Sequence, residues 1–583
     1  MINRKPFMPD KKYIPKPKPW NMKLFQSLSL LFVTSLLFVG CSTNKHYDTI
    51  ITNGIIYDGS GGAPIKADLG IVNDTVAAIG DLSSASATER IDAKGKAVTP
   101  GFINMMGHSE ESLIIDGRGQ SDIRQGVTLE IFCESSPAPL TEKMRLQAEQ
   151  GQGDFRYKVE WHSLGEYMNF LEKKGIAPNI ASFVGAGTIR MNVIGEDNKA
   201  PTPVQLDSMK QLVAQAMQQG ALGVTCALIY PPDNFATTDE LIALCKEAAK
   251  YGGTYSSHMR SEANQFTQAV NELITIAREA GLPAEIHHLK AAGKSNWNKL
   301  DSVINIVEKA RKEGLQIDAD MYTYVAGATG LTSAFPPTLQ DGGFGKLRER
   351  LMDPKWRAKM KIAMNSDPQD WENLYSGAGG PEHVLLLGFK QDSLKKYTGK
   401  TIADVAKIRN QSAEDCAMDL IIQDSTRVGV AYFLMNEDNV RKQAGLPWVS
   451  FGSDEGSYTT EGVFLKSNAH PRAYGNFARF LGKYVRDEKV CTLQEAIRKL
   501  ANLPAEHLRL KNRGMLKAGY FADVVIFDPA TIQDHSTFEK PHQYSTGVSD
   551  VWVNGRQVFK NGEPTDARPG RFVKGPGFGS ATK

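Results

Sequence analysis

Residues 223–259 read GVTCALIYPPDNFATTDELIALCKEAAKYGGTYSSHM. The stretch opens on an apolar, strand-like run, GVTCALIY. It continues through TDELIALCKEAAK, where apolar residues recur at helical spacing and Gly252-Gly253 supplies a stop. A second strand-like run, TYSSHM, then delivers His258. Strand, helix and strand in this order make one crossover unit of a parallel sheet.

The same alternation extends in both directions. VTPGFINM (98–105), TLEIFCE (128–134), IASFVGAG (180–187), AEIHHLK (284–290), QIDADMYTY (316–324) and WVSFGSD (448–454) bring the strand-like runs to eight, with amphipathic stretches such as SMKQLVAQAMQQG (208–220) and LDSVINIVEKARKEG (300–314) between them. Eight such units predict an α/β fold, a (β/α)8 TIM barrel over residues 99–514, in preference to an open doubly wound sheet. Residues 325–447, between the last two runs, are more than one crossover needs. The polar segment 335–381, with Trp356, Trp371 and several glycines, is expected to be an inserted subdomain near the barrel mouth, before strand eight. The two ends of the chain have a different texture. Short alternating runs broken by Asn-Gly, Gly-Gly and Asn-Asp fill 47–81, and ADVVIFDP and VSDVWVNGRQVFKNGEP occupy 522–529 and 548–564. Residues 47–98 and 515–575 are therefore expected to pair into one small β domain.

Bulk properties narrow the function. The 583 residues are 41% hydrophobic and 23% charged, an ordinary globular balance. A net charge of +3, with no Lys/Arg block, phosphate loop or zinc-finger spacing, argues against a nucleic-acid partner. Six cysteines without a CxxC pair do not form a disulfide framework. Residues 23–41, KLFQSLSLLFVTSLLFVGC, resemble a bacterial lipoprotein signal, in which Cys41 becomes the lipidated first residue of the mature protein. That resemblance implies a lipid-anchored protein of the bacterial cell envelope. Residues 1–41 are set apart from the fold, and Met22 is an alternative start, because PKPKPWNM (15–22) sits awkwardly before such a signal.

In a barrel of this kind, chemistry gathers at the C-terminal strand ends. The polar residues there are His108, Cys133, Glu134, His258, His287, His288, Tyr322, Tyr324 and Asp454. Alternation along a strand turns His287 and His288 to opposite faces, so one of the two is expected to face the barrel axis. A single histidine at a strand end is ordinarily structural, and Asp454 in GSDEGS could be a turn residue. Two histidines and a carboxylate on separate strands, however, are the ligand set of a catalytic zinc with an open position for water. Such an ion acidifies water and polarises a carbonyl. A neighbouring carboxylate, with Asp454 the best candidate, would carry the water's proton to a leaving nitrogen. This is amide hydrolysis without a Ser or Cys nucleophile, and the chain has no GxSxG motif.

AVTPGFIN (97–104), SSHMRSE (256–262), IHHLKAAGKSNW (286–297), FGSDEG (451–456), HPRAYGNFARFLGKYV (470–485) and GMLKAGYFADVVIFDP (514–529) resemble, in order, the N-acyl-D-amino-acid deacylases, or D-aminoacylases, of the metal-dependent amidohydrolase superfamily. The resemblance covers roughly residues 47–575. It implies a barrel with a β-sandwich built from both termini, and cleavage of the acyl group from a small-molecule N-acyl-D-amino acid. It also implies that His258 and His288 hold a catalytic zinc, that Asp454 is the general acid/base, and that Lys290, Tyr322 and Arg472 bind the substrate carboxylate, as charge-assisted donors would.

Departures from the family pattern are informative. Members typically carry HxH after strand one; here the pair is Met106 and His108, and Met suits a hard, water-activating ion poorly. Many members place a Cys ligand after strand two, and a subgroup has Gly-Glu-Gly there. This chain reads FCESS (132–136), so Glu134 is preferred as third ligand and Cys133 is the alternative. Ala328, beside Thr329, replaces a hydroxyl position of the substrate loop. One firmly held zinc is expected, with His108 at most a weak second site. Competing readings are a cyclic-amide hydrolase of the hydantoinase or dihydroorotase type, a D-dipeptidase, and a non-catalytic binding lipoprotein on the same scaffold.

Overall fold

The computed structural model describes residues 45–580; the 1–41 segment, with Met22 and Cys41, lies outside them. Eight parallel strands form the barrel. They are Phe102–Gly107, Val127–Phe132, Asn179–Ser182 running on into Val184–Gly185, Gly223–Ala227, Thr254–His258, Ala284–Ile286, Ile317–Met321 and Val449–Phe451. Each is parallel to its neighbour. The third strand is stitched at Phe183, whose amide donates to the Phe132 carbonyl at 3.0 Å.

Closure between strands eight and one uses the residues that carry the site. Asp454 N donates to Met106 O and His108 N to Glu455 O, each at 2.9 Å. Asn104 locks the seam from behind. Its Oδ1 accepts from Ser453 N and its Nδ2 donates to Ser453 Oγ, both at 2.8 Å. Helices cover the outside as their sequences dictate. Thr238–Ala249 starts at Thr237, whose side chain accepts from Glu240 N, and buries Leu241, Leu244, Cys245 and Ala248, one face of a helix.

The barrel interior is divided. On the side of the first three strands it is apolar, with Ile103, Met105, Met106, Leu129, Ile131, Cys133 and Phe183 packed together. On the other side it is polar, with Thr225, Ser256, Glu285, His287, Asp320 and Ser450 all buried.

The chain ends meet where Ala97–Pro100 pairs antiparallel with Val524–Phe527. Nine strands form one continuous sheet there. The reason is the long first strand, His46–Ile56. Its first part pairs in parallel with Ser86–Asp92 and its last residues with Ala97–Val98, while its antiparallel pairing with Ile65–Val72 shifts register between Ile51 and Gly54. Ile51, Leu69, Ile71, Val98, Val524 and Trp552 are the core of this sheet domain.

Between strands seven and eight the excursion reaches beyond 335–381 on both sides. Ala326–Gly330 and Val384–Gly388 each pair antiparallel with Gly429–Phe433, so residues flanking the polar segment close on one another. Helices such as Gly343–Met352 and Pro354–Met364 complete it, and Leu331, Phe335, Leu347, Leu351, Met360, Val384, Leu386 and Ile421 give it a core of its own.

The seam between strands eight and one leaves no room for a side chain at Gly452. A Cβ there would lie 2.7 Å from Met106 Cβ and 2.9–3.0 Å from Met106 backbone atoms. Gly452→Ala is expected to destabilise the barrel by about 1–3 kcal/mol through overpacking, seen as a lower thermal unfolding midpoint, with the sheet domain intact by circular dichroism.

Candidate metal centre and active site

Glu134, His258 and His288 converge at the mouth of the barrel. Glu134 Oε1 lies 2.9 Å from His258 Nδ1 and 2.9 Å from His288 Nε2. The three ligand atoms fall within 4.8 Å of one another, and among the described residues no other His/Cys/Asp/Glu group is arranged this way. Glu134 and His288, together with Asp454, share an unusual backbone: φ is 63°, 35° and 50°. Left-handed conformations of this kind are uncommon outside Gly, Asn and Asp and concentrate at functional sites. Here they bend the chain at a strand end, so that the side chain leaves the alternation of the strand and points over the barrel axis.

This bend corrects one expectation. His287 does not face away from the barrel. It is the first residue after strand six, fully buried, with Nδ1 2.8 Å from Asp320 Oδ2 and Nε2 3.4 Å from Thr225 Oγ1. Asp320 Oδ1 accepts from His288 N at 2.8 Å, and Thr225 Oγ1 accepts from Glu134 N at 2.9 Å. One buried chain, Thr225–His287–Asp320, therefore grips the backbone of two metal-site residues. The alternative ligand Cys133 is turned the other way, into the apolar half of the interior, with Sγ 3.4 Å from Met105 O. Met106 lies in that same apolar cluster and outside the cavity lining. His108 does line the cavity, with Nε2 3.2 Å from Asp454 Oδ1 and 3.7 Å from Glu134 Oε2.

The donor set fits a divalent cation. One carboxylate oxygen is shared by two imidazole nitrogens, His258 Nδ1 and His288 Nε2, both on buried rings. Burial pushes Glu134 upward, but its contacts with His258 and His288 outweigh this and hold it well below the usual carboxylate range. His288 Nδ1 lies 2.9 Å from Glu262 Oε1, the carboxylate contact that orients a metal-binding imidazole with Nε2 forward. Burial and Lys290 both push His288 down, yet Glu262 and Glu134 outweigh them and raise it to about 10. The pocket is thus built to hold positive charge where the ligand atoms meet.

Glu262 belongs to the candidate site although the sequence reading did not single it out; SSHMRSE contains it four positions after His258. Lys290 Nζ donates to its two oxygens at 2.7 and 2.8 Å. Burial pushes Glu262 up, but Lys290 with His258 and His288 outweighs this and holds it at about 2. Arg472 Nη1 lies 2.7 Å from Asp454 Oδ2, and its Nη2 donates to the Asp454 carbonyl at 2.6 Å. Burial pushes Asp454 up, whereas Arg472 and His108 hold it well below its ordinary range. The ring of Tyr322 lies between the two cations, 4.3 Å from the Arg472 guanidinium and 5.5 Å from Lys290 Nζ, and its buried hydroxyl has no hydrogen-bond partner. All these residues line one cavity of ≈ 750 Å³. Its far wall comes from the excursion, including Gly327, Ala328 and Thr329.

Residues 89–559 match the amidohydrolase family. The chain belongs to that family. D-aminoacylase of Alcaligenes xylosoxydans xylosoxydans is 31% identical over 91% of this chain and 98% of its own length, which places the chain in the D-aminoacylase branch. The solved N-acyl-D-glutamate deacylase of Bordetella bronchiseptica, complexed with zinc and a phosphonate mimic of the tetrahedral intermediate, is 28% identical with a TM-score of 0.75, covering 91% of this chain and 100% of the other. A D-aminoacylase structure with a binuclear metal centre, described by one-metal activation and second-metal attenuation, is 30% identical over the same shares, also at TM-score 0.75.

The assignment of the third ligand separates two neighbouring residues. Glu134→Ala is expected to lose bound metal, while Cys133→Ser keeps the full complement by elemental analysis. Thr225→Val, which breaks only the buried chain, should weaken metal affinity about 10- to 100-fold in a chelator competition.

Proposed function

We propose that this protein hydrolyses the amide bond of N-acyl-D-amino acids, releasing a carboxylate and a free D-amino acid, with one zinc ion held by Glu134, His258 and His288. The observation that carries this reading is the convergence of those three ligands with Asp454, Arg472, Tyr322 and Lys290 on one cavity, in a chain of the D-aminoacylase branch. When bound, the ion would acidify water and polarise the scissile carbonyl. The remaining work belongs to the chain. Asp454, beside His108 and kept ionised, accepts the proton of the attacking water and delivers it to the leaving nitrogen. Arg472, Tyr322 and Lys290 hold the substrate carboxylate, the Tyr322 hydroxyl gaining its missing partner. A carboxylate arriving at Arg472 shares the guanidinium with Asp454 and so raises the proton affinity of Asp454 in the complex.

The cyclic-amide reading draws less support, because that chemistry usually uses two ions and Met106 supplies no ligand at the second position. The binding-only reading is opposed by the presence together of the ligand set and an acid/base. We also propose, from residues 23–41, that the enzyme is tethered through Cys41 to a membrane of the cell envelope.

The test is release of free amino acid from paired N-acetyl-D- and N-acetyl-L-amino acids by the full chain. Chelation should abolish D-selective release, and one equivalent of zinc should restore it. Asp454→Asn should retain zinc while kcat falls about 10²- to 10⁴-fold. Turnover of neither series by zinc-loaded protein would defeat the reading.

A further inference from the structure

Four Lys/Arg side chains line the cavity: Lys290, Lys390, Arg427 and Arg472. Two are committed, Lys290 to Glu262 and Arg472 to Asp454. The other two have no carboxylate at ion-pair distance among the described residues. Lys390 Nζ donates to the Gln150 carbonyl at 3.0 Å. Arg427 donates from Nε to Thr332 Oγ1 at 3.3 Å and from Nη2 to Thr329 Oγ1 at 3.4 Å.

Their placement follows from the register of the excursion. Gly388 pairs with Gly429 at the last rung of the antiparallel ladder. Lys390 lies two residues after the first glycine and Arg427 two residues before the second, so both leave the same end of the sheet at opposed positions. Arg427 is also tied to the metal centre through one aromatic ring. Its guanidinium carbon is 4.9 Å from the centre of the Tyr230 ring, and that ring meets His258 edge-to-face at 5.3 Å. A guanidinium held by two hydroxyls and a ring face is oriented without being neutralised, which is how a receptor for an anionic group is built. Arg427 is exposed, and these three contacts hold its guanidinium against the cavity wall.

We propose that Arg427, assisted by Lys390, recognises a second carboxylate on the substrate, distinct from the α-carboxylate held by Arg472, Tyr322 and Lys290. The inference rests on the deacylase reading above and narrows it to dicarboxylic N-acyl-D-amino acids. The second carboxylate has two chemical sources: an acidic side chain, as in D-glutamate or D-aspartate, or an acyl group that ends in a carboxylate, as in a succinyl amide.

The experiment compares kcat/KM for N-acetyl-D-glutamate, N-succinyl-D-leucine and N-acetyl-D-leucine in zinc-loaded wild type, Arg427→Met and Arg427→Lys. One of the two dicarboxylic substrates should exceed N-acetyl-D-leucine by at least about tenfold in wild type. The ratio should fall about ten- to a hundredfold in Arg427→Met and recover in part in Arg427→Lys, as for a hydrogen-bonded ion pair. Which of the two leads identifies the source. A ratio is insensitive to the fraction of variant that folds. Wild-type preference for N-acetyl-D-leucine, or an unchanged ratio in Arg427→Met, would overturn the inference and leave the deacylase reading standing. Absence of turnover on all three, and on the wider N-acetyl-D series, would overturn both.

Discussion

A single carboxylate oxygen, Glu134 Oε1, sits 2.9 Å from a nitrogen of each of two imidazoles carried by different strands, and much of the barrel mouth is arranged around that meeting. The three groups are largely withdrawn from solvent. Burying a carboxylate is costly unless its lone pairs are answered, so the surroundings must supply positive charge or strong donors. The chain supplies them in layers. His258 and His288 come first, Glu262 and Lys290 fix His288 from behind, and the Thr225–His287–Asp320 chain holds the backbone beneath. The layers combine near neighbours in sequence, such as His288 and Lys290, with residues from distant strands, such as Glu134 and Thr225. Glu134 and His288 are brought together only because strands two to six lie side by side in a closed sheet.

The same constraint explains where backbone strain has been accepted. Glu134, His288 and Asp454 are left-handed, and they lie two, two and three residues beyond the ends of strands two, six and eight. In a regular strand their side chains would alternate between the barrel axis and the outer helices. A bend just past the strand end frees them from that choice. It also allows His287 and His288 to serve the centre together, one as an internal anchor and one as a ligand. Strain of this type costs on the order of 1–3 kcal/mol per residue, and the hydrogen bonds to Thr225 Oγ1, Asp320 Oδ1 and Met106 O, received from the amides of these three residues, offset it.

Much of this was legible in the sequence. The eight strand-like runs are visible because each is apolar and bounded by helical periodicity. His258, Glu134, His288 and Asp454 stand out as polar residues at the ends of such runs. What was not legible depends on contacts across the fold. Strand alternation is a rule for regular strands, and it misplaced His287 because nothing in IHHLK announces a left-handed residue. Segment 335–381 was read as the insertion because its composition is polar. The strands that bound the excursion are short and pair with one another across dozens of residues, which periodicity does not report. Glu262 was hidden by its neighbours in SSHMRSE. Its role exists only once Lys290 and His288 arrive from the next strand.

The charges in direct contact at the centre give a reason for one divalent ion and for a substrate with a carboxylate. Glu134, Glu262 and Asp454 are held ionised, against the two fixed cations Lys290 and Arg472. Burial lowers His108, but Asp454 at 3.2 Å and Glu134 at 3.7 Å outweigh it and raise the imidazole to about 9, adding a third cation. With the metal-binding imidazoles neutral, these six groups balance. A single divalent cation makes the centre net positive, and the α-carboxylate of an N-acyl amino acid offsets part of that charge. A second divalent cation would leave it strongly positive in a low-dielectric pocket, unless further carboxylates were present to answer it. The first-strand position where such an ion would need a ligand is Met106, buried in the apolar cluster with Ile103, Leu129 and Cys133. Side-chain chemistry and charge balance therefore agree. The barrel supplies the centre, and the excursion forms the opposite wall of the cavity above it.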